Sequence, residues 1–342
     1  MNSYPSGPEF IPHPREHLYF ACSTICNLRC CFCPSRLRPL DQCVMTNALF
    51  ASTVDQACEI GYKAFGLTPV VGEAFTDPEF VSKLSFLERH PMVSHYTLTT
   101  NFTLAGDAFI ESVPALAKLR YLSISIYGHD PDTFALMTGA SPLVWHRLIR
   151  NLQRLAAVLQ SGQKRVQVRV RTRTAITPDV FSCELRQVLS ALRNKNVAVD
   201  VPTNYYNWGG LITDDDLNDL GISLSAPDVE RTGPCAMIFY KNIVLPDGRI
   251  SACACRDAAG LLIIGDLTRH TLRRIYSRSN GRFRRLIEQQ CAGHYGKFCA
   301  SCNMFRSIYR MHSSYRHHTR PLVSLAQILD EFGAGSGAAV AT

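Results

Sequence analysis

From His17 to about Pro202 the chain repeats one rhythm, a short apolar run followed by a stretch with helical spacing. Strands are predicted at Leu18 to Ser23, Lys63 to Thr68, His95 to Thr100, Tyr121 to Ile126, Val166 to Ala175 and Val197 to Val201. The intervening helices are predicted at Thr46 to Ile60, Asp77 to His90, Ala105 to Ala117, Pro142 to Leu159 and Pro178 to Arg193. Strands joined by helical crossovers run the same way, so the rhythm predicts an α/β chain built on a parallel sheet. Beyond Asn204 the pattern becomes turn-rich and cysteine-bearing, which sets a boundary near Asn204 to Gly210. The expected organisation is an N-terminal extension at 1–16, an α/β unit at 17–203, a small cysteine-rich unit at 204–320 and a tail at 321–342. The end of that tail, Phe332 to Thr342, is rich in glycine and alanine and reads as flexible.

The chemistry is signalled by the run Cys26-Asn27-Leu28-Arg29-Cys30-Cys31-Phe32-Cys33. Cubane iron-sulfur clusters are normally held by four cysteines, so the three thiolates of Cys26, Cys30 and Cys33 suit a cluster with one iron open to another ligand. Zinc is the alternative, with Cys22, Cys31 or Cys43 as the fourth ligand that a structural zinc site requires. The C-x3-C-x2-C spacing, with aromatic Phe32 before the last cysteine, resembles the signature of the radical S-adenosylmethionine (radical SAM) superfamily. That resemblance implies a partial (β/α)6 TIM-like barrel. It also implies a [4Fe-4S] cluster whose open iron chelates S-adenosylmethionine and, on one-electron reduction, yields a 5'-deoxyadenosyl radical. Active-site groups of such barrels lie on loops after the C-terminal ends of strands.

Three motifs fall at such ends. Val71-Gly72-Glu73-Ala74 stands where the family has Gly-Gly-Glu-Pro, and a carboxylate with free backbone carbonyls can accept hydrogen bonds from the cofactor ammonium. Thr99-Thr100-Asn101-Phe102 is similar to the family's Thr-Asn-Gly, which places Asn101 near the ribose. Ser123-Ile124-Ser125-Ile126-Tyr127-Gly128 is similar to Ser-hydrophobic-Asp-Gly, with Ser123 and Ser125 on one face and Tyr127 in place of the aspartate. On the fifth strand, Gln167, Arg169, Arg171 and Arg173 alternate with apolar residues. Arg169 and Arg171 are candidates to clamp the cofactor carboxylate or an anionic substrate, the alternative being a solvent-facing edge.

Further on, Gly233-Pro234-Cys235, Leu245-Pro246-Asp247-Gly248-Arg249-Ile250-Ser251-Ala252-Cys253, Ile264-Gly265-Asp266 and Cys299-Ala300-Ser301-Cys302 resemble the twitch or SPASM extension of that superfamily. Asp247-Gly248 reads as a hairpin turn. Cys235, Cys253, Cys299 and Cys302 are expected to hold a second, fully ligated [4Fe-4S] cluster, with a zinc ribbon as the alternative. Cys255, two residues after Cys253 on a presumed strand, is a candidate ligand, an inert thiol or a hydrogen donor to a substrate radical. Asn207-Trp208-Gly209-Gly210 resembles the linker of SPASM-type enzymes.

No run approaches the roughly 20 apolar residues of a membrane span, and Met1 to Arg15 is polar and proline-rich, so a cytoplasmic protein without a membrane partner is expected. In that compartment the fourteen cysteines read as metal ligands and free thiols. Much of the +8 net charge lies on C-terminal arginines at helical spacing, such as Arg282, Arg284 and Arg285. They read as a solvated helix face, and nucleic acid is not an expected partner. The resemblance implies hydrogen abstraction from a small polar substrate such as a sugar or aminocyclitol, giving dehydrogenation or epimerisation. The reductant would be a protein such as flavodoxin or ferredoxin. A peptide maturase is the second reading, and a zinc-binding, nucleic-acid-associated protein the third.

Overall fold

The computed structural model describes residues 7–37, 39–67, 70–160, 166–172, 177–227 and 230–331. The alternating part of the chain forms β1 (Leu18–Phe20), α1 (Asn47–Glu59), β2 (Ala64–Leu67), α2 (Phe80–Arg89), β3 (His95–Thr100), α3 (Asp107–Ser112), β4 (Leu119–Tyr127), α4 (Pro131–Thr138), α5 (Pro142–Val158), β5 (Val166–Arg171), α6 (Cys183–Arg193) and β6 (Ala198–Asp200). β1 to β6 lie side by side in chain order, and each neighbouring pair is parallel. This is the expected partial (β/α)6 TIM-like barrel. Arg173 and the tail Phe332 to Thr342 lie outside the described residues.

Local chemistry sets the helix starts. Thr46 caps α1 by accepting from the Leu49 amide, and Ser182 caps α6 by accepting from Leu185. The helix α4 was not expected from the sequence. Asp130 and Thr133 form a capping box around Pro131, and Gly139 ends the helix in the left-handed conformation at φ +65°. Alternation on β4 and β5 then separates two faces. Leu122, Ile124, Ile126, Val166, Val168 and Val170 are buried in the apolar core with Trp145, Leu148, Leu152, Leu185 and Leu189 of α5 and α6. Ser123, Ser125 and Tyr127 pair in register with Gln167, Arg169 and Arg171 on the opposite face.

After β6, the chain forms α7 (Met237–Tyr240), β7 (Ile243–Val244), β8 (Arg249–Ser251), β9 (Ile263–Asp266), α8 (Leu272–Ile275), α9 (Gly281–Cys291), α10 (Lys297–Ser301) and α11 (Leu325–Glu331). β7 and β8 make the expected hairpin, with Gly248 at φ +88° in its turn. The hairpin does not start a separate sheet. β7 pairs parallel to β1, Tyr19 opposite Ile243 and Phe20 opposite Val244, so among the described residues one sheet runs β6-β5-β4-β3-β2-β1-β7-β8-β9. The cysteine-bearing segment is thereby fixed beside the barrel mouth. On α9, Arg282, Arg284 and Arg285 are exposed while Phe283 and Ile287 are buried. No helix among the described residues is long and apolar enough to cross a membrane.

Candidate active site

A cavity of about 430 Å³ opens where the strands of the barrel end, and Cys26, Cys30, Phe32 and Cys33 line it together with Gly72, Glu73, Asn101, Ser125 and Tyr127. That volume lies in the usual range for a ligand site, roughly 300–1,000 Å³. The cysteine loop is pinned from several sides. The Arg29 and Cys31 amides donate to the carbonyls of Thr138 and Met137, so the loop rests on the end of α4. Asn27 donates to Thr103 Oγ1 at 2.9 Å, and Asn101 Nδ2 donates to Asn27 Oδ1 at 3.1 Å. The Phe32 ring packs against Tyr127 and Tyr205, with centroids 4.9 and 5.4 Å away, and Trp208 Nε1 donates to the Phe32 carbonyl at 3.1 Å.

The glycine and glutamate after β2 have separate structural reasons. Gly72 sits at φ +116°, and a Cβ there would lie 2.2 Å from the Ser23 carbonyl oxygen, so no larger residue fits this close approach. The buried Glu73 carboxylate accepts from Thr100 Oγ1 at 2.6 Å, the Asn101 amide at 2.7 Å and the Phe75 amide at 3.3 Å. Burial pushes its pKa up, against the pull of those hydrogen bonds. Glu73 therefore joins the ends of β2 and β3. The Asn101 side chain is likewise engaged, its oxygen accepting from the Thr103 amide and hydroxyl.

Ser125 borders the cavity, whereas Ser123 is buried and is not in its lining. Arg169 and Arg171 also lie away from the lining. Arg169 donates to Gln167 at 3.1 Å and is 3.8 Å from Asp200, while Arg171 donates to the Asn204 carbonyl at 2.6 Å beside the Tyr205 ring. Asp200 and Asn204 tie β5 to the end of β6 and to the segment after it.

The second set of thiols, Cys235, Cys253, Cys299 and Cys302, lines a separate void of about 20 Å³ walled by Met237, Leu262, Phe298 and Phe305. Gln290 joins two of them, accepting from the Cys235 amide at 2.8 Å and donating to Cys299 Sγ at 3.5 Å. Arg231 donates to the Cys299 and Cys302 carbonyls at 3.1 and 2.7 Å. The Asn207-Trp208-Gly209-Gly210 linker packs here too, since a Cβ on Gly209 would meet the Phe298 ring at 2.1 Å.

One expectation is corrected. The strand β8 ends at Ser251, and residues 252–255 form a bend and turn, so Cys253 and Cys255 do not share a strand face. The Ala254 amide donates to Lys241, and this turn places Cys255 at the border of both the cavity and the void. Its Sγ is 3.8 Å from Met237 Sδ.

All fourteen cysteines are free thiols. Burial pushes the Cys26 and Cys235 thiols up to about 12 and that of Cys33 to about 11. Left alone such groups are inert and protonated, whereas a bound cation removes the proton. The N-terminal loop supplies three soft donors facing open space, and the C-terminal set supplies four facing apolar walls, so both donor sets fit iron-sulfur ligation. Among the described residues no three His, Cys, Asp or Glu side chains converge on one ion. Sequence reasoning missed Tyr19, Lys241 and Arg256 in the cavity lining. Their signal was faint: a cation just before the hairpin and another just after Cys255.

No protein-family model matches the chain, and no curated protein matches it in sequence. Solved structures match its fold. BtrN in complex with AdoMet and 2-DOIA aligns with a TM-score of 0.54 at 12% identity, over 84% of this chain and 92% of BtrN. Streptococcus suis SuiB bound to precursor peptide SuiA aligns with a TM-score of 0.55 at 14% identity, over 86% of this chain and 70% of SuiB. Native anSMEcpe with bound AdoMet aligns with a TM-score of 0.54 at 15% identity, over 92% of this chain and 95% of that one. At these identities the likeness is one of fold.

Proposed function

We propose that this chain is a radical SAM enzyme that abstracts hydrogen from a small polar substrate, giving a dehydrogenated or epimerised product. The observation that carries this reading is the set Cys26, Cys30 and Cys33, three thiols with one ligand position to spare, opening on a cavity at the barrel mouth. The fold is shared with chains whose structures hold AdoMet, which supports the same reading. When bound, a [4Fe-4S] cluster and S-adenosylmethionine supply one-electron cleavage to 5'-deoxyadenosine and hydrogen abstraction.

The chain's own residues have assignable tasks. Cys26, Cys30 and Cys33 would hold the first cluster and Cys235, Cys253, Cys299 and Cys302 the second. Gly72, Glu73 and Asn101 would shape the cofactor side of the cavity, whose lining also includes Ser125 and Tyr127. Cys255 borders the cavity, which supports a role for its thiol as hydrogen donor to a substrate carbon. If it does, the product gains one solvent-derived hydrogen, because a thiol exchanges its proton with water, and keeps its oxidation state, while the thiyl left on Cys255 would be restored by one electron from the reductant and a proton. If it does not, the substrate radical would lose a proton to solvent and one electron to the second cluster, and the product is two electrons more oxidised than the substrate. A one-electron donor such as flavodoxin or ferredoxin is the partner this chemistry requires.

A peptide-modifying activity is the second reading, favoured by the likeness to SuiB with its bound precursor peptide. Anaerobic purification tests the enzyme reading first. A brown protein that forms 5'-deoxyadenosine from S-adenosylmethionine and dithionite is expected, and a colourless zinc protein that forms none overturns both readings. Product analysis in deuterated water then separates epimerisation from dehydrogenation.

A further inference from the structure

The lining of the cavity is unbalanced in charge. Two cations border it, Lys241 and Arg256, and among the described residues neither forms an ion pair with a carboxylate. The one carboxylate in the described lining, Glu73, is already bonded to Thr100, Asn101 and Phe75. Arg256 lies over the Tyr206 and Trp208 rings, 4.3 and 4.7 Å from their centroids. It is close enough to Cys33, Cys253 and Cys302 for its charge to act on those thiols. Arg256 also donates to the Cys255 carbonyl and borders both the cavity and the void beside the second set of thiols.

Among the described residues Lys241 is also without a carboxylate partner, and the charges of Tyr19 and Cys255 bear on it ahead of any carboxylate. Its Nζ donates to the Tyr19 hydroxyl and lies 4.3 Å from the Tyr19 ring centroid and 5.4 Å from that of Tyr240. The carboxylate whose charge reaches it, Glu16, is occupied by Thr319 and Arg320. The Tyr19 ring is itself seated by the sheet, because it fills the space above Gly66, where a Cβ would lie 2.3 Å away. An ammonium has three donors, and Tyr19 takes one, which leaves two for a ligand. A cation withdrawn from water without an anion is costly, and an anion that enters beside it forms strong, charge-assisted hydrogen bonds.

We infer that Lys241 and Tyr19 form an anion-binding subsite on the β1–β7 wall of the cavity, and that the substrate carries a carboxylate or a phosphate group there. This rests on the radical SAM reading and narrows it: a cationic aminocyclitol is disfavoured, and an acidic or phosphorylated small molecule is favoured. Lys241 is a binding residue that fixes which substrate carbon faces the cofactor side.

The test is thermal unfolding of the reconstituted full-length chain with inorganic phosphate, acetate or glucose at matched ionic strength. Phosphate or acetate should raise the wild-type midpoint by about 2 °C or more at saturation, and glucose should not. The larger of the two anion responses names the group. Lys241→Met should abolish the response and Lys241→Arg should retain at least half of it. No anion response in the wild type, or an equal one in Lys241→Met, overturns the inference. Should Lys241→Met fail to fold, labelling the wild type with acetic anhydride decides the matter. Phosphate or acetate should protect Lys241 several-fold relative to exposed Lys297, and unchanged labelling of Lys241 overturns the inference. Dithionite-driven 5'-deoxyadenosine formation in the same wild-type preparation tests the parent reading separately. Its absence beside an intact anion response sinks that reading alone, and its presence without the response sinks only the subsite.

Discussion

The two sets of thiols differ in ligand number and in what they face. Cys26, Cys30 and Cys33 lie on one short loop and open on about 430 Å³ of space, whereas Cys235, Cys253, Cys299 and Cys302 come from segments far apart in the chain and surround about 20 Å³. Among the described residues the first set offers three thiols where there is room for a small molecule. The second offers four thiols around a void too small for a substrate. Under the proposed function this difference would put bond-breaking chemistry at the N-terminal set and support or electron transfer at the C-terminal one. Cys255 and Arg256 connect them by bordering both spaces, and Trp208 braces the first set through the Phe32 carbonyl.

The strongest way to break this comparison is to remove one set at a time. Replacing Cys26, Cys30 and Cys33 with alanine should abolish 5'-deoxyadenosine formation and remove about half the iron, measured by chromatography and iron analysis. Replacing Cys299 and Cys302 with alanine should lower iron by a similar share but leave detectable, uncoupled 5'-deoxyadenosine while product is lost. Equal loss of cofactor cleavage in both variants would erase the functional distinction. Gly72→Ala should destabilise the open site by about 2 kcal/mol, because the added Cβ meets the Ser23 carbonyl at positive φ. Its unfolding midpoint should fall, whereas Gly106→Ala, with open space around it, should not show that loss. The smallest effect is expected for Trp208→Phe, which removes one hydrogen bond to the N-terminal cysteine loop, worth about 1 kcal/mol.

What could be read from the sequence was local. The six alternating strands and most of their helices follow from apolar periodicity, and the thiols of each set can be grouped by motif resemblance. Helix α4 was missed because its eight residues are few for a periodic pattern, although the capping pair Asp130 and Thr133 and the stop at Gly139 are visible in the chain. The parallel pairing of β7 with β1 joins residues more than two hundred positions apart, and no spacing rule encodes it. That pairing brings Lys241 to Tyr19 and Cys255 to the cavity, so the residues it placed were the ones least legible beforehand. The arginines of β5 alternate as expected, yet their partners, Asp200 and the Asn204 carbonyl, come from the chain beyond the strand and draw Arg169 and Arg171 away from the cavity.

Electron paramagnetic resonance of the reduced, reconstituted chain, recorded with and without S-adenosylmethionine, tests the central claim most directly. Two cluster signals are predicted, one of which shifts when S-adenosylmethionine is added and vanishes in the Cys26, Cys30 and Cys33 triple variant, while the other stays unchanged. A single signal after full reconstitution, or a response to S-adenosylmethionine that persists in the triple variant, would contradict the division into one open and one closed site.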